Sequence, residues 1–217
     1  MNFLKSFYKI KNCEIFKIYG KIIIKKKNKK QENKIKEKKL NIMKELKIVL
    51  FGHPTLKKVA EKVEKFDDEL RETLNEMVNL MRKANGVGLA ANQVDIPKRF
   101  FVLEYEGVVK KVVNPEILEF SEEKVDFEEG CLSIPGIYKK VVRPKKIKVK
   151  YFDENGTEVQ EELDEMWARA FQHELDHLDG ILFTERLSVM NKRLVAKKIE
   201  VLKKDFSKGR IYREDLD

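Results

Sequence analysis

Cysteine is nearly absent from this 217-residue chain, which has only Cys13 and Cys131. The two fall in compositionally different parts, so no disulfide framework is implied and a reducing compartment fits. Long apolar runs are missing as well. Lys17, Lys21 and Lys25 break every N-terminal apolar run far short of the roughly 18 residues a membrane helix needs. No apolar stretch of about 7–15 residues marks a secretory signal. Residues 1–42 contain no arginine, no proline and one serine, Ser6, so they do not read as an organellar transit peptide either.

Lysine is what residues 1–42 do have. They hold 14 Lys against three Glu, a net +11, whereas the other 175 residues hold 32 basic and 34 acidic groups, a net −2. The overall +9 and the pI near 9.3 therefore describe the first fifth of the chain. Blocks such as Lys25 to Lys30 and Lys34 to Lys39 repel along the chain and predict a solvated, disordered extension. Equally, they fit translation from a start upstream of Met43. The expected organisation is this extension at 1–42 and a single catalytic domain at 43–217, large enough to bury a core. No membrane and no stable nucleic-acid partner is expected of that domain, and its expected location is the cytoplasm.

After Met43, the apolar run Leu46 to Phe51 reads as a strand closed by Gly52-His53-Pro54. Leu70, Leu74, Met77, Val78 and Met81 share one helical face, with Asp67 or Asp68 as N-cap and Asn85-Gly86 as terminator, the glycine supplying the left-handed conformation. Strands are expected at Arg99 to Tyr105, at Val108 to Val113 and at Ile147, Val149, Tyr151. A turn at Asp153 to Gly156 leads into Thr157 to Leu163. Helices from about Met166 to Gly180 and from about Ser188 to Gly209 finish the chain. This order predicts an α+β fold, a mostly antiparallel sheet packed around a central helix, with an N-terminal and a C-terminal helix.

Two of the chain's three histidines lie in His173-Glu174-Leu175-Asp176-His177. One helical turn apart, both imidazoles can reach one metal ion, while Glu174, rotated by about 100°, can touch a water beside that ion without ligating it. Two imidazoles and a carboxylate base are the parts of metal-assisted hydrolysis. A third ligand is needed. His53 sits in a Gly-His-Pro turn and reads as a turn or packing residue; Cys131, in Glu129-Gly130-Cys131-Leu132-Ser133, is the better candidate. Gly130 before it and an Ile134-Pro135-Gly136 turn after it suggest a backbone held in an unusual shape. Thiolate and two imidazoles leave a fourth tetrahedral position open, as in a catalytic site. They suit zinc, iron, nickel or cobalt equally.

The segment Gly86-Val87-Gly88-Leu89-Ala90-Ala91-Asn92-Gln93 has two glycines but follows a helix, so it is not a dinucleotide loop. It reads as a place of close backbone approach, ending in Gln93, a neutral donor suited to an oxyanion.

Together these three blocks resemble the peptide deformylases, marked by Gly-x-Gly-Leu-Ala-Ala-x-Gln, Glu-Gly-Cys-Leu-Ser and Gln-His-Glu-x-Asp-His in that order. The likeness runs from about Ile48 to Leu187 and includes Val113-Asn114-Pro115 and Arg143-Pro144. Asn92 departs from it, since the family commonly has proline there, at a variable position without catalytic weight. The resemblance implies that Cys131, His173 and His177 bind the metal, Fe2+ first, with Zn2+, Ni2+ or Co2+ as substitutes. It implies Glu174 as general acid/base, Gln93 and the Leu132 N–H as donors to the formyl oxygen, and Val87 and Gly88 pairing with the substrate backbone. The implied substrates are the N-formyl-methionyl ends of nascent polypeptides, with formate released. A different metalloamidase or endopeptidase is the alternative enzyme. An RNA- or membrane-binding protein with a structural metal is the alternative of another class. In the last helix, Lys192, Arg193, Lys197, Lys198, Lys203 and Lys204, interleaved with Leu194, Ile199 and Leu202, predict a solvated face over a core-packed stripe, with transient ribosome contact as the functional reading.

Overall fold

The computed structural model describes residues 46–215, and the expectations for residues 1–42 lie outside that range. The first helix, α1, spans Asp68–Lys83, with Asp67 as N-cap accepting the Leu70 N–H at 3.1 Å. All five apolar residues of the predicted stripe are buried. Its end differs in detail. Asn85, not Gly86, takes the left-handed conformation (φ 54°), the Asn85 N–H bonds the Arg82 carbonyl and the Gly86 N–H bonds the Met81 carbonyl. Gly86 is needed for space, because a Cβ there would press on Leu132 at 2.8 Å.

Seven strands follow: β1 (Gly88–Ala90), β2 (Phe100–Tyr105), β3 (Val108–Phe120), β4 (Lys124–Cys131), β5 (Ile134–Pro144), β6 (Lys146–Phe152) and β7 (Glu158–Asp164). Five form an antiparallel sheet in the order β1-β2-β3-β6-β7, and β4 with β5 form a separate hairpin. The helices α2 (Glu165–Leu178), α3 (Phe183–Arg186) and α4 (Val189–Ser207) complete the chain, giving the expected α+β fold. Asp153 holds the β6–β7 turn by accepting the Asn155 and Thr157 N–H groups, both at 2.8 Å.

Strand β2 is apolar on both sides because both sheet faces are covered there. Phe100 and Val102 join Leu74, Met77 and Met81 of α1. Phe101 and Leu103 join Phe171 and Leu178 of α2, with Phe101 and Phe171 edge-to-face at 5.1 Å. Each such buried side chain contributes about 1.5–3 kcal/mol. A third cluster joins Val49, Leu56, Ile134, Ile137, Leu182, Phe183 and Val195. Helix α2 is thus pressed between the sheet and the hairpin. Among the described residues, no helix is long and apolar enough to cross a membrane.

Three expectations need correction. The run Leu46 to Phe51 is not a strand: Val49 bonds Gln93, Leu50 bonds Ile211 and Phe51 bonds Ser133, so its pairing is divided among different partners. Its apolar character reflects burial on both sides, with Ile48, Val49 and Leu50 all in the core. The turn after Cys131 is Leu132–Ser133, and Ile134, Pro135 and Gly136 already belong to β5. In α4, Leu194 faces solvent at 61% exposure; the packed stripe is Val195, Ile199 and Leu202.

Candidate active site

Helix α2 carries an unusual load of buried polar side chains: Arg169, Gln172, His173, Glu174, Asp176 and His177. Such burial persists only where partners compensate for lost water. His173 and His177 lie with ring centroids 5.1 Å apart. The end of β4 brings Cys131 to them across a register shift between Glu129 and Cys131. Gly130 allows that path, since a Cβ there would collide with the Tyr138 ring. One sulfur and two nitrogens then lie within 4.8 Å of one another, with Sγ of Cys131 3.2 Å from Nε2 of His177. This soft sulfur and borderline nitrogen set fits a divalent transition ion. His53 is elsewhere, receiving the Thr55 N–H and meeting Phe206 edge-on.

Glu129 orients the group. Its carboxylate accepts Nε and Nη2 of Arg143 at 2.6 and 2.9 Å, Nη1 of Arg169 at 2.6 Å, and faces Nδ1 of His173 at 3.0 Å. Burial alone would raise the Glu129 pKa, but the His173 and Arg143 hydrogen bonds override it and hold it at about 2. Burial likewise opposes charge on His173, yet bonds to Cys131 and Glu129 push it up to about 10. His177, desolvated and beside His173, is held well below the usual imidazole range. With Nδ1 of His173 committed to Glu129, its Nε2 faces the donor group.

Glu174 is 4% exposed, and its Oε2 has no hydrogen-bond partner. Burial pushes its pKa up to about 7, a value suited to proton exchange near neutrality. A Cβ on Gly88 would collide with this carboxylate, so glycine lets the β1 backbone lie directly against it. Strand β1 is an edge of its sheet. The Val87 carbonyl accepts the Glu104 N–H at 2.8 Å, so by antiparallel alternation the N–H and C=O of Gly88 point to the open edge.

Gln93 is buried, with Oε1 accepting the Ala90 N–H at 2.9 Å. That bond fixes the amide, directing Nε2 at Ser133 Oγ (3.2 Å) and Cys131 Sγ (3.5 Å). Val87, Gly88, Gln93, Cys131, Leu132, His173 and Glu174 all line one cleft of about 580 Å3. His177 lies beneath it at 1% exposure.

Sequence reasoning missed the supporting residues. Arg143 bridges Glu129 to Asp176, whose other oxygen takes Arg186 at 2.6 Å, so α2 is clamped one residue from His177. The signal for Glu129 was available, since metal-binding imidazoles commonly carry an acceptor at the second nitrogen, as His173 does, whereas Nδ1 of His177 is buried without a partner. Asn92 has more weight than its variable position suggests. Its Nδ2 lies 2.9 Å from the His177 carbonyl, 2.8 Å from that of Lys58 and 3.2 Å from that of Thr55.

Residues 45–193 match the family model described as polypeptide deformylase. A peptide deformylase of Fusobacterium nucleatum is 51% identical over 162 residues, covering 73% of this chain and 93% of the relative. One of Thermotoga maritima is 47% identical over 152 residues, covering 70% and 93%. Among solved structures, a Plasmodium falciparum peptide deformylase superposes with a TM-score of 0.73 at 37% identity, covering 75% of this chain and 98% of that one. Sequence match, fold and clustered donors agree, and the chain belongs to the polypeptide deformylase family.

Proposed function

We propose that the chain removes the formyl group from the N-terminal formyl-methionine of newly made polypeptides and releases formate. The observation that carries this reading is the convergence of Cys131, His173 and His177 beside a buried, unpartnered Glu174 oxygen. Cys131, His173 and His177 hold a divalent ion, Fe2+ by the family's habit, with Zn2+, Ni2+ or Co2+ as replacements. That ion supplies acidification of a water and polarisation of the formyl carbonyl.

Glu174 does the proton work. Its Oε2 receives the proton of the attacking water and returns it to the departing amine, and its raised pKa makes both transfers accessible. The Gln93 Nε2 donates to the formyl oxygen as charge gathers there, with the Leu132 N–H as second donor. Removing one such donor typically lowers kcat by about 10²–10³. Edge strand β1 receives the substrate backbone in strand fashion through Gly88, with Val87 beside it. Main-chain pairing reads no side chains, which suits an enzyme that must accept many nascent chains.

The reading places the protein in the cytoplasm, where such chains emerge, and gives α4 a transient ribosome contact. Its outward face supports this: Met190, Leu194 and Val201 are 65%, 61% and 52% exposed and alternate with Arg193, Lys197 and Lys204. Salt-dependent co-sedimentation with ribosomes that is lost on truncation near Ser188 is expected. For the chemistry, the test is turnover of formyl-Met-Ala against acetyl-Met-Ala and against an internal peptide bond. Strong preference for the formyl substrate is expected; equal rates would exclude deformylation in favour of a general metalloamidase.

A further inference from the structure

We propose that Arg213 is a specificity-determining residue of the cleft, favouring substrates with a carboxylate side chain shortly after the formyl-methionine. The proposal rests on the deformylase reading and deepens it. Arg213 lies beyond residue 193, where the family match ends. After α4 the chain returns to the core: the Leu50 N–H bonds the Ile211 carbonyl at 2.8 Å, Val49 bridges Tyr212, and the Arg213 N–H bonds the Ile48 carbonyl at 3.0 Å. Ile48 and Val49 are fully packed, so the backbone that carries Arg213 is anchored.

From that anchor the Arg213 side chain lines the same cleft as Cys131, Leu132, Tyr138 and Glu174. It is only 15% exposed, so its charge acts through a partly water-excluded wall. Its guanidinium already shows what it accepts. Nε lies 3.0 Å from one Asp215 oxygen and Nη2 bonds the other, the two-pronged geometry of arginine on a carboxylate. The Asp215 side chain is 59% exposed, so it is a displaceable occupant rather than a buried partner.

Other charges on the cleft do not cancel this one. Glu129 and Arg169 bond each other in the interior, Glu174 is buried against Gly88, and Glu128 is exposed, where screening weakens it. A cleft of about 580 Å3 with an open strand edge has room for residues beyond the methionine, each advancing about 3.3 Å.

The test is kcat/KM on the metal-loaded full chain for three peptides, formyl-Met-Ala-Glu, formyl-Met-Ala-Gln and formyl-Met-Ala-Lys, each with an amidated C-terminus. The expected order is Glu over Gln over Lys, with the Glu-to-Lys ratio at least about fivefold, carried by KM and reduced by salt. Arg213→Gln should bring that ratio near one, and Arg213→Glu should invert it. Asp215→Asn, which frees the guanidinium, should widen it. Ratios taken within one variant are unaffected by partial loss of folded protein. Equal rates on all three peptides, or a ratio that survives Arg213→Glu, would overturn the proposal. Failure of the metal-loaded chain to turn over any of them would instead overturn the deformylase reading beneath it.

Discussion

Nδ1 of His173 lies 3.0 Å from Oε2 of Glu129, and that carboxylate is itself held by two arginines. The imidazole is thereby fixed in one orientation before any ion arrives. Glu129→Gln keeps the shape but weakens the pull on the ring. Divalent-ion affinity, read by chelator competition, should fall by about 10–100-fold. Unchanged affinity would leave Glu129 a purely structural role.

The same carboxylate sets an acid limit on stability. Its folded pKa of about 2 lies below the ordinary 4.5, so the stabilisation is complete above about 4.5 and is lost as pH falls toward 2. The difference amounts to about 3 kcal/mol. Urea melts of metal-stripped protein at pH 7, 5 and 3 should show this loss, and Glu129→Gln should flatten the profile between 5 and 3. An identical profile in the variant would place the acid sensitivity elsewhere.

Asn92 ties the end of α2 to the turn after His53 through three carbonyls. Truncation to alanine removes that shared amide donor and its cross-links, leaving the Thr55 and His177 carbonyls to the local Lys58 and Gly180 N–H groups. Asn92→Ala should lower unfolding stability by about 1–3 kcal/mol in denaturant melts. A change within error would mean that water replaces the amide at no cost.

Gly88 is required by the Glu174 carboxylate rather than by an unusual dihedral angle. In Gly88→Ala the new methyl must displace Glu174 or the β1 edge. A misplacement of about 1 Å near the chemistry typically costs about 10²-fold in rate, and kcat on formyl-Met-Ala should fall by that order while the thermal midpoint moves little. Near wild-type kcat would show that the edge backbone tolerates a side chain there.

Helical period put His173, Glu174 and His177 within reach of one ion directly from the sequence, because i, i+4 spacing leaves little freedom. Cys131 was legible only through the ligand count and the family resemblance, since 42 residues separate it from His173. The hairpin that delivers it was not foreseen. Lys124, Asp126 and Glu128 are exposed on β4 and so is Phe127, so the alternation that signals a half-buried strand is missing. Leu46 to Phe51 misled in the opposite direction: two-sided burial makes it apolar, while its strand pairing is confined to an isolated bridge between Val49 and Tyr212. Asn92, Arg143 and Asp176 act through contacts across distant segments, which no local pattern encodes.

The central claim is that Glu174 moves the proton while Cys131, His173 and His177 alone hold the ion. The most direct measurement is metal content and formyl-Met-Ala turnover of Glu174→Gln, both taken anaerobically beside the unaltered chain. The expected result is equal metal per chain with turnover reduced by about 10²–10⁴-fold. Full metal with undiminished turnover would contradict the account.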